Sequence, residues 1–211
     1  MAHPQHAVAA AATTPGPSTE DRILAAFLRL AARRGPEAAT TRAIAEEAGV
    51  NEVTIFRHFG DKATLALHAV RRFSPAAQLA AGDPDIDAAT PASASAGLLA
   101  CLRMMSANMA AHPELILFGA GESARMPAVA EEVAAIPRAA RAFLQRALDQ
   151  AQPQLRARVD ARTVALQWLG LLFHVHLSVE RGVLPPMSPA EWDRVLVSAV
   201  RAVVRKGGGL R

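Results

Sequence analysis

From Thr19 onward, apolar residues recur with the period of an α-helix, and capping residues, glycines and prolines punctuate them. Ile23, Leu24, Phe27, Leu28, Leu30 and Ala31 mark the inner face of a first helix that starts near a Thr19 cap and closes at Gly35. Two short helices follow. Thr40 caps the first, Ile44, Ala45 and Ala48 form its narrow apolar face, and Gly49 ends it in a turn under which Val50 tucks. Asn51 caps the second, whose Ile55 and Phe59 lie one turn apart and face the first. At about 100° per residue the opposite arc centres on Val53 and Arg57, flanked by Thr54 and Phe56, and stays free for a partner. Thr40 to Lys62 therefore reads as a helix-turn-helix.

Asp61 caps a fourth helix striped by Leu65, Ala66, Ala69, Val70 and Phe73, and residues 74–95, rich in Pro, Gly, Ala and Asp, read as a flexible connection. Within it Asp83, Asp85 and Asp87 alternate like metal ligands but lack the Gly and the distant Glu of a calcium loop. From Ala96 the chain reads as helix throughout. Leu98, Leu102, Met105 and Met109 share a face; His112-Pro113 breaks it; Leu115 to Phe118 begins a short helix; Pro127 and Pro137 mark starts or kinks; Phe143, Leu144, Ala147 and Leu148 continue the apolar face. Thr163 to Val179 is apolar nearly all round. At the short limit for a bilayer span and carrying Gln167, His174 and His176, it is expected to be buried between its own domain and a second copy. The last helix, about Pro189 to Lys206, stripes Trp192, Val195, Leu196, Ala199, Val200 and Val203. The fold class expected is all-α: residues 1–18 a disordered tail, 19–74 a helix-turn-helix domain, 75–211 a helical domain.

Composition narrows this picture. With 211 residues, 51% of them hydrophobic, the chain can bury a sizeable core, and its net charge of +4 permits a nucleic-acid partner without establishing one. The single cysteine, Cys101, excludes an intramolecular disulfide and any thiol-rich metal site, and reads as a small core residue. The N-terminus shows no basic region followed by an apolar run, so the cytoplasm is the expected compartment. No catalytic arrangement or glycine-rich phosphate loop occurs, and His174 and His176 stand about 200° apart on a helix, which prevents shared metal ligation. Neither enzyme activity, a cofactor nor a metal is expected.

The stretch Thr40, Thr41, Ile44, Ala45, Ala48 to Val50, Thr54 to Phe56, His58, Phe59 and Lys62 resembles the DNA-binding module of the TetR/AcrR family of transcriptional regulators, a likeness that covers roughly Arg22 to Phe73. The family usually has Ala near position 27 and Phe near 31; here the two sizes are reversed. The resemblance implies a homodimeric regulator, a repressor that binds a palindromic double-stranded DNA operator and is released by a small-molecule effector. On it the expected DNA contacts are Arg42, Glu52, Val53, Thr54, Phe56, Arg57, His58 and Lys62. Lys62 is the phosphate candidate at a helix start, while Arg42 and Arg57 suit guanine and Val53 a thymine methyl. Glu52 suits either a helix end or cytosine N4. Phe56 stands where the family often has Tyr and supplies packing only. Arg33 and Arg34 lie on the expected DNA side. An effector cavity is expected among Met105, Met109, Phe118, Phe143, Trp168 and His174, and a four-helix dimer interface through Leu172, Trp192, Val195, Leu196, Ala199 and Val203. The alternative is a small-molecule binding protein of the same fold that leaves DNA alone.

Overall fold

A computed structural model describes residues 16–121 and 126–206. The α-helices among the described residues are α1 Thr19–Arg34, α2 Thr41–Ala48, α3 Glu52–Phe59, α4 Lys62–Phe73, α5 Ala76–Ala81, α6 Pro91–Ala111, α7 Pro113–Gly121, α8 Pro127–Gln150, α9 Ala161–Glu180 and α10 Pro189–Val203. Among the described residues there is no strand, only an isolated antiparallel bridge between Leu155 and Val204. The all-α fold is as the periodicity indicates. The expected tail lies almost wholly outside the described residues.

Local chemistry sets the boundaries. Ser18, rather than Thr19, caps α1, its hydroxyl accepting the Asp21 amide at 3.0 Å; both are hydroxyl residues, and spacing alone does not separate them. Thr40, Asn51 and Asp61 cap α2, α3 and α4 as expected. The larger correction concerns residues 74–95. Ala76–Ala81 is helical, anchored by buried Leu79, and α6 starts at Pro91 under a reciprocal Thr90–Ser93 capping box, which leaves only residues 82–90 as the connection. Proline at the first helical position costs no hydrogen bond, so Pro91 is a start signal inside a stretch whose composition resembles a loop. No described helix is long and apolar enough to cross a membrane.

Two cores organise the helices. One gathers Ile23, Phe27 and Ala31 of α1 with Ile44, Ile55, Phe59 and Leu65, and continues into Leu115 and Phe118 of α7 and Val129 of α8. The other joins Leu98, Leu102 and Met105 of α6 to Phe143, Leu144 and Leu148 of α8, Trp168 and Leu172 of α9, and Leu196 and Val200 of α10. Helix α8 serves both: Val133 and Ile136 pack on the first core, Ala140 and Phe143 belong to the second, and Pro137 lies between.

Candidate nucleic-acid interface

The turn between α2 and α3 determines where the site points. Gly49 takes a left-handed conformation, φ 67° and ψ 42°, and the amides of Gly49 and Val50 close back on the carbonyls of Glu46 and Ala45. A side chain is strained in that conformation, so a glycine makes this abrupt turn possible. With Ile55 and Phe59 buried, the opposite arc of α3 faces outward: Val53 is 70% exposed and Phe56 52%, and Arg57 and His58 are exposed beside them. Among the described residues nothing pairs with the guanidinium of Arg57, Arg33 or Arg34, while the His58 ring tilts against Phe59 at 6.0 Å between centroids.

Several expected DNA contacts are already occupied. The Thr41 hydroxyl donates to the Glu52 carboxylate, tying the first turn of α2 to that of α3, so Glu52 takes the helix-end role rather than facing a base. Asn51 Oδ1 accepts the Val53 amide at 2.9 Å, and Thr54 is half-buried. Lys62 Nζ donates to the Pro36 carbonyl at 3.0 Å, which pins the start of α4 to the turn between α1 and α2. That bond engages one of three ammonium donors. Arg42 is exposed and pairs with Glu46 one turn along α2, at 3.0 Å. The Thr64 amide, followed by its hydroxyl, holds the Asp61 carboxyl below the usual carboxylate range, so this cap is ionised at neutral pH.

The far end of α4 is tied into the rest of the molecule. Arg72 donates to Asp21 of α1 at 2.7 Å, Arg71 donates to Glu132 of α8 at 2.6 and 2.8 Å, and the Phe73 ring meets His112 at 5.3 Å between centroids. Sequence spacing carries no signal for these pairs, whose members lie far apart along the chain.

The residues expected around an effector do not form one chamber. Met105, Phe143 and Trp168 are buried in the second core and Met109 packs against it, but Phe118 lies in the first core, edge-on to Phe27 at 5.8 Å, and His174 is exposed on α9. Helical spacing identified buried positions without telling which of two cores would receive them. His176, not His174, reaches an internal polar group. Ser106 Oγ accepts the Trp192 indole N–H at 2.6 Å and lies 3.1 Å from His176 Nε2, and burial pulls the His176 pKa down. Burial pushes the Cys101 thiol up to about 11, which keeps it protonated and inert.

The expected dimer residues also divide. Leu172, Leu196 and Val203 are buried within this chain, and Trp192 is held by Ser106. Val195 and Ala199 instead line a surface groove of about 810 Å³ together with Leu171, Leu184, Met187 and Ala202. Leu166, 60% exposed, and Phe173 extend the apolar character along α9. The outward stripe is thus rotated from the one expected, because the strongest apolar positions serve the chain's own core.

Residues 23–69 match the family described as "Bacterial regulatory proteins, tetR family". The match covers the helix-turn-helix segment, about a fifth of the chain. The "Uncharacterized HTH-type transcriptional regulator YvkB" of Bacillus subtilis (strain 168) is 44% identical over 61 residues, 26% of this chain and 32% of that protein. The likeness thus spans about a third of that relative's length. The likeness to solved structures extends further. NalD, "the secondary repressor of MexAB-OprM multidrug efflux pump in Pseudomonas aeruginosa", is 18% identical with a TM-score of 0.66, covering 90% of this chain and 98% of that one. The "fatty acid degradation regulator FadR from Bacillus halodurans" is 18% identical with a TM-score of 0.62, over 94% and 99%. These neighbours establish a shared fold: a helix-turn-helix domain followed by a helical body.

Proposed function

We infer that this protein is a regulator of the tetR family, a ligand-responsive, sequence-specific DNA-binding repressor acting as a homodimer on a palindromic operator. The observation that carries the reading is the exposed arc of α3, Val53, Phe56, Arg57 and His58, set by a satisfied turn. A helix of this kind enters the major groove with base-facing side chains while surrounding cations meet phosphate. Arg57 and Arg42 are the polar base readers, each able to make two hydrogen bonds to guanine; Lys62 holds the backbone.

One such module contacts few base pairs, so two copies act together with their recognition helices about 34–36 Å apart. The second copy covers the apolar stripe of α9 and α10, from Leu166 and Phe173 to Val195 and Ala199. A small molecule accommodated in the second core, near Met105, Met109, Phe143 and Trp168, favours a state in which α8 and α4 are displaced. It releases DNA to the extent that it binds that state more tightly. NalD and FadR, named as a repressor and a regulator, support this reading through their fold.

The test is selection of duplexes from a random pool with the full-length protein, followed by binding of the enriched sequence across a salt series. Arg57→Ala and Arg42→Ala are each expected to relax sequence preference within the half-site, and Lys62→Ala to weaken all duplexes alike while flattening the salt dependence. Failure to retain any duplex at low salt, together with tight binding of a small molecule, would establish the rival reading of a binding protein that leaves DNA alone.

A further inference from the structure

The outward face of α3 is unusual in its chemistry. Polar side chains at its start are engaged within the protein, Asn51 on the Val53 amide and Glu52 on the Thr41 hydroxyl, and beyond its end Lys62 donates to the Pro36 carbonyl. What the first turn and a half presents is Val53 and Phe56, 70% and 52% exposed, three residues apart and therefore neighbours on one face. Among the described residues nothing covers this apolar pair. On the same helix Arg57 and His58 are exposed, and the Arg57 guanidinium has no partner among the described residues, so the surface that fits this arc is a polyanion carrying small apolar spots.

The major groove of DNA supplies one such spot, the C5 methyl group of thymine; the other base edges there present hydrogen-bond donors and acceptors. We propose that Val53 and Phe56 form a thymine-methyl reading pair, so that each half-site carries thymine where the start of α3 enters the groove, recognised by its methyl group instead of by hydrogen bonds. The proposal rests on the DNA-binding reading and adds to it which bases are read, and how. Phe56, in the position where a tyrosine would direct a hydroxyl to phosphate, becomes a reader of sequence.

The experiment compares the duplex selected from the random pool with duplexes in which deoxyuridine replaces thymidine, one position at a time. That exchange removes a methyl group and leaves every hydrogen-bonding edge intact. At one or two positions per half-site the full-length protein is expected to bind the deoxyuridine duplex about fourfold more weakly per methyl, the effect of one methylene-sized apolar group. Val53→Ala is expected to abolish that discrimination at one position and Phe56→Ala at the neighbouring one. Both side chains are exposed, and unchanged melting curves check that the variants are folded. Sequence-specific binding that is indifferent to every thymine methyl would overturn the methyl-reading pair and leave the regulator assignment standing. Loss of the discrimination through Arg57→Ala alone would also overturn it. Absence of binding to any duplex would overturn both.

Discussion

The core around α1 and the core around α6 and α9 use the same kinds of side chain, yet they meet solvent differently. In the first, Ile23, Phe27, Ala31, Ile44, Ile55 and Leu65 close on one another and on Phe118 of α7, and what remains outside is the small α3 arc. In the second, Leu172, Leu196 and Val200 are sealed, while the same two helices leave Leu166, Phe173, Val195 and Ala199 at the surface. A helix that is apolar nearly all round needs cover on two sides, and this chain provides one. The contrast separates residues that hold the protein together from residues that stay open to solvent.

The largest expected effect breaks the first core. Phe118→Ala removes a ring with no solvent exposure and its edge contact to Phe27, and is expected to cost about 3–5 kcal/mol in chemical denaturation. Because α7 is continuous with the helix-turn-helix core, the loss should appear as destabilisation of α1 to α4 in hydrogen exchange. Unchanged protection there would break the comparison. Next comes the open face of α9. Leu166→Glu places a charge on the stripe assigned to a second copy, and sedimentation should shift from dimer to monomer with a change in monomer stability within about 0.5 kcal/mol. A dimer that persists would show that the partner surface lies elsewhere.

Smaller effects sharpen the boundary between the two regions. Arg71→Ala, Glu132→Ala and their double variant isolate the ion pair between α4 and α8. With one partner 58% exposed, the coupling is expected to stay below about 1 kcal/mol and to decline with salt. The smallest concerns His176. Burial lowers its pKa in the folded chain, so as pH falls below the unfolded value of about 6.5 the unfolded chain takes up a proton first. The contribution of neutral His176 is present above that pH and is lost as pH drops through the folded value. His176→Gln should remove this component of the acid-side slope in a series of denaturation curves.

Much of the architecture follows from residues whose local preferences are strong. Thr40, Gly49, Asn51 and Asp61 fix the helix-turn-helix because capping and left-handed turns depend on a few neighbouring atoms, and the buried face of α3 leaves only one arc outward. The second region was less legible. Apolar periodicity marks Phe118 and Phe143 alike as inward, although they enter different cores, and marks Leu172 and Leu196 for an interface when the chain's own packing takes them first. Long-range partners such as Arg71 and Glu132, or Ser106, His176 and Trp192, have no local pattern that would join them. Ala76–Ala81 escaped because a six-residue helix held by a single buried leucine resembles a linker in composition. Lys62 was assigned to phosphate by its place at a helix start, and only three-dimensional proximity reveals the Pro36 carbonyl beside it.

Pro137 lacks the amide hydrogen that would donate to the carbonyl of Val133, so the 24-residue rod of α8 is missing a rung. The gap falls where the rod leaves one packed group of side chains and enters the other. Bending α8 there strains one backbone hydrogen bond fewer than bending it elsewhere, so this helix resists bending least where it passes from one core to the other.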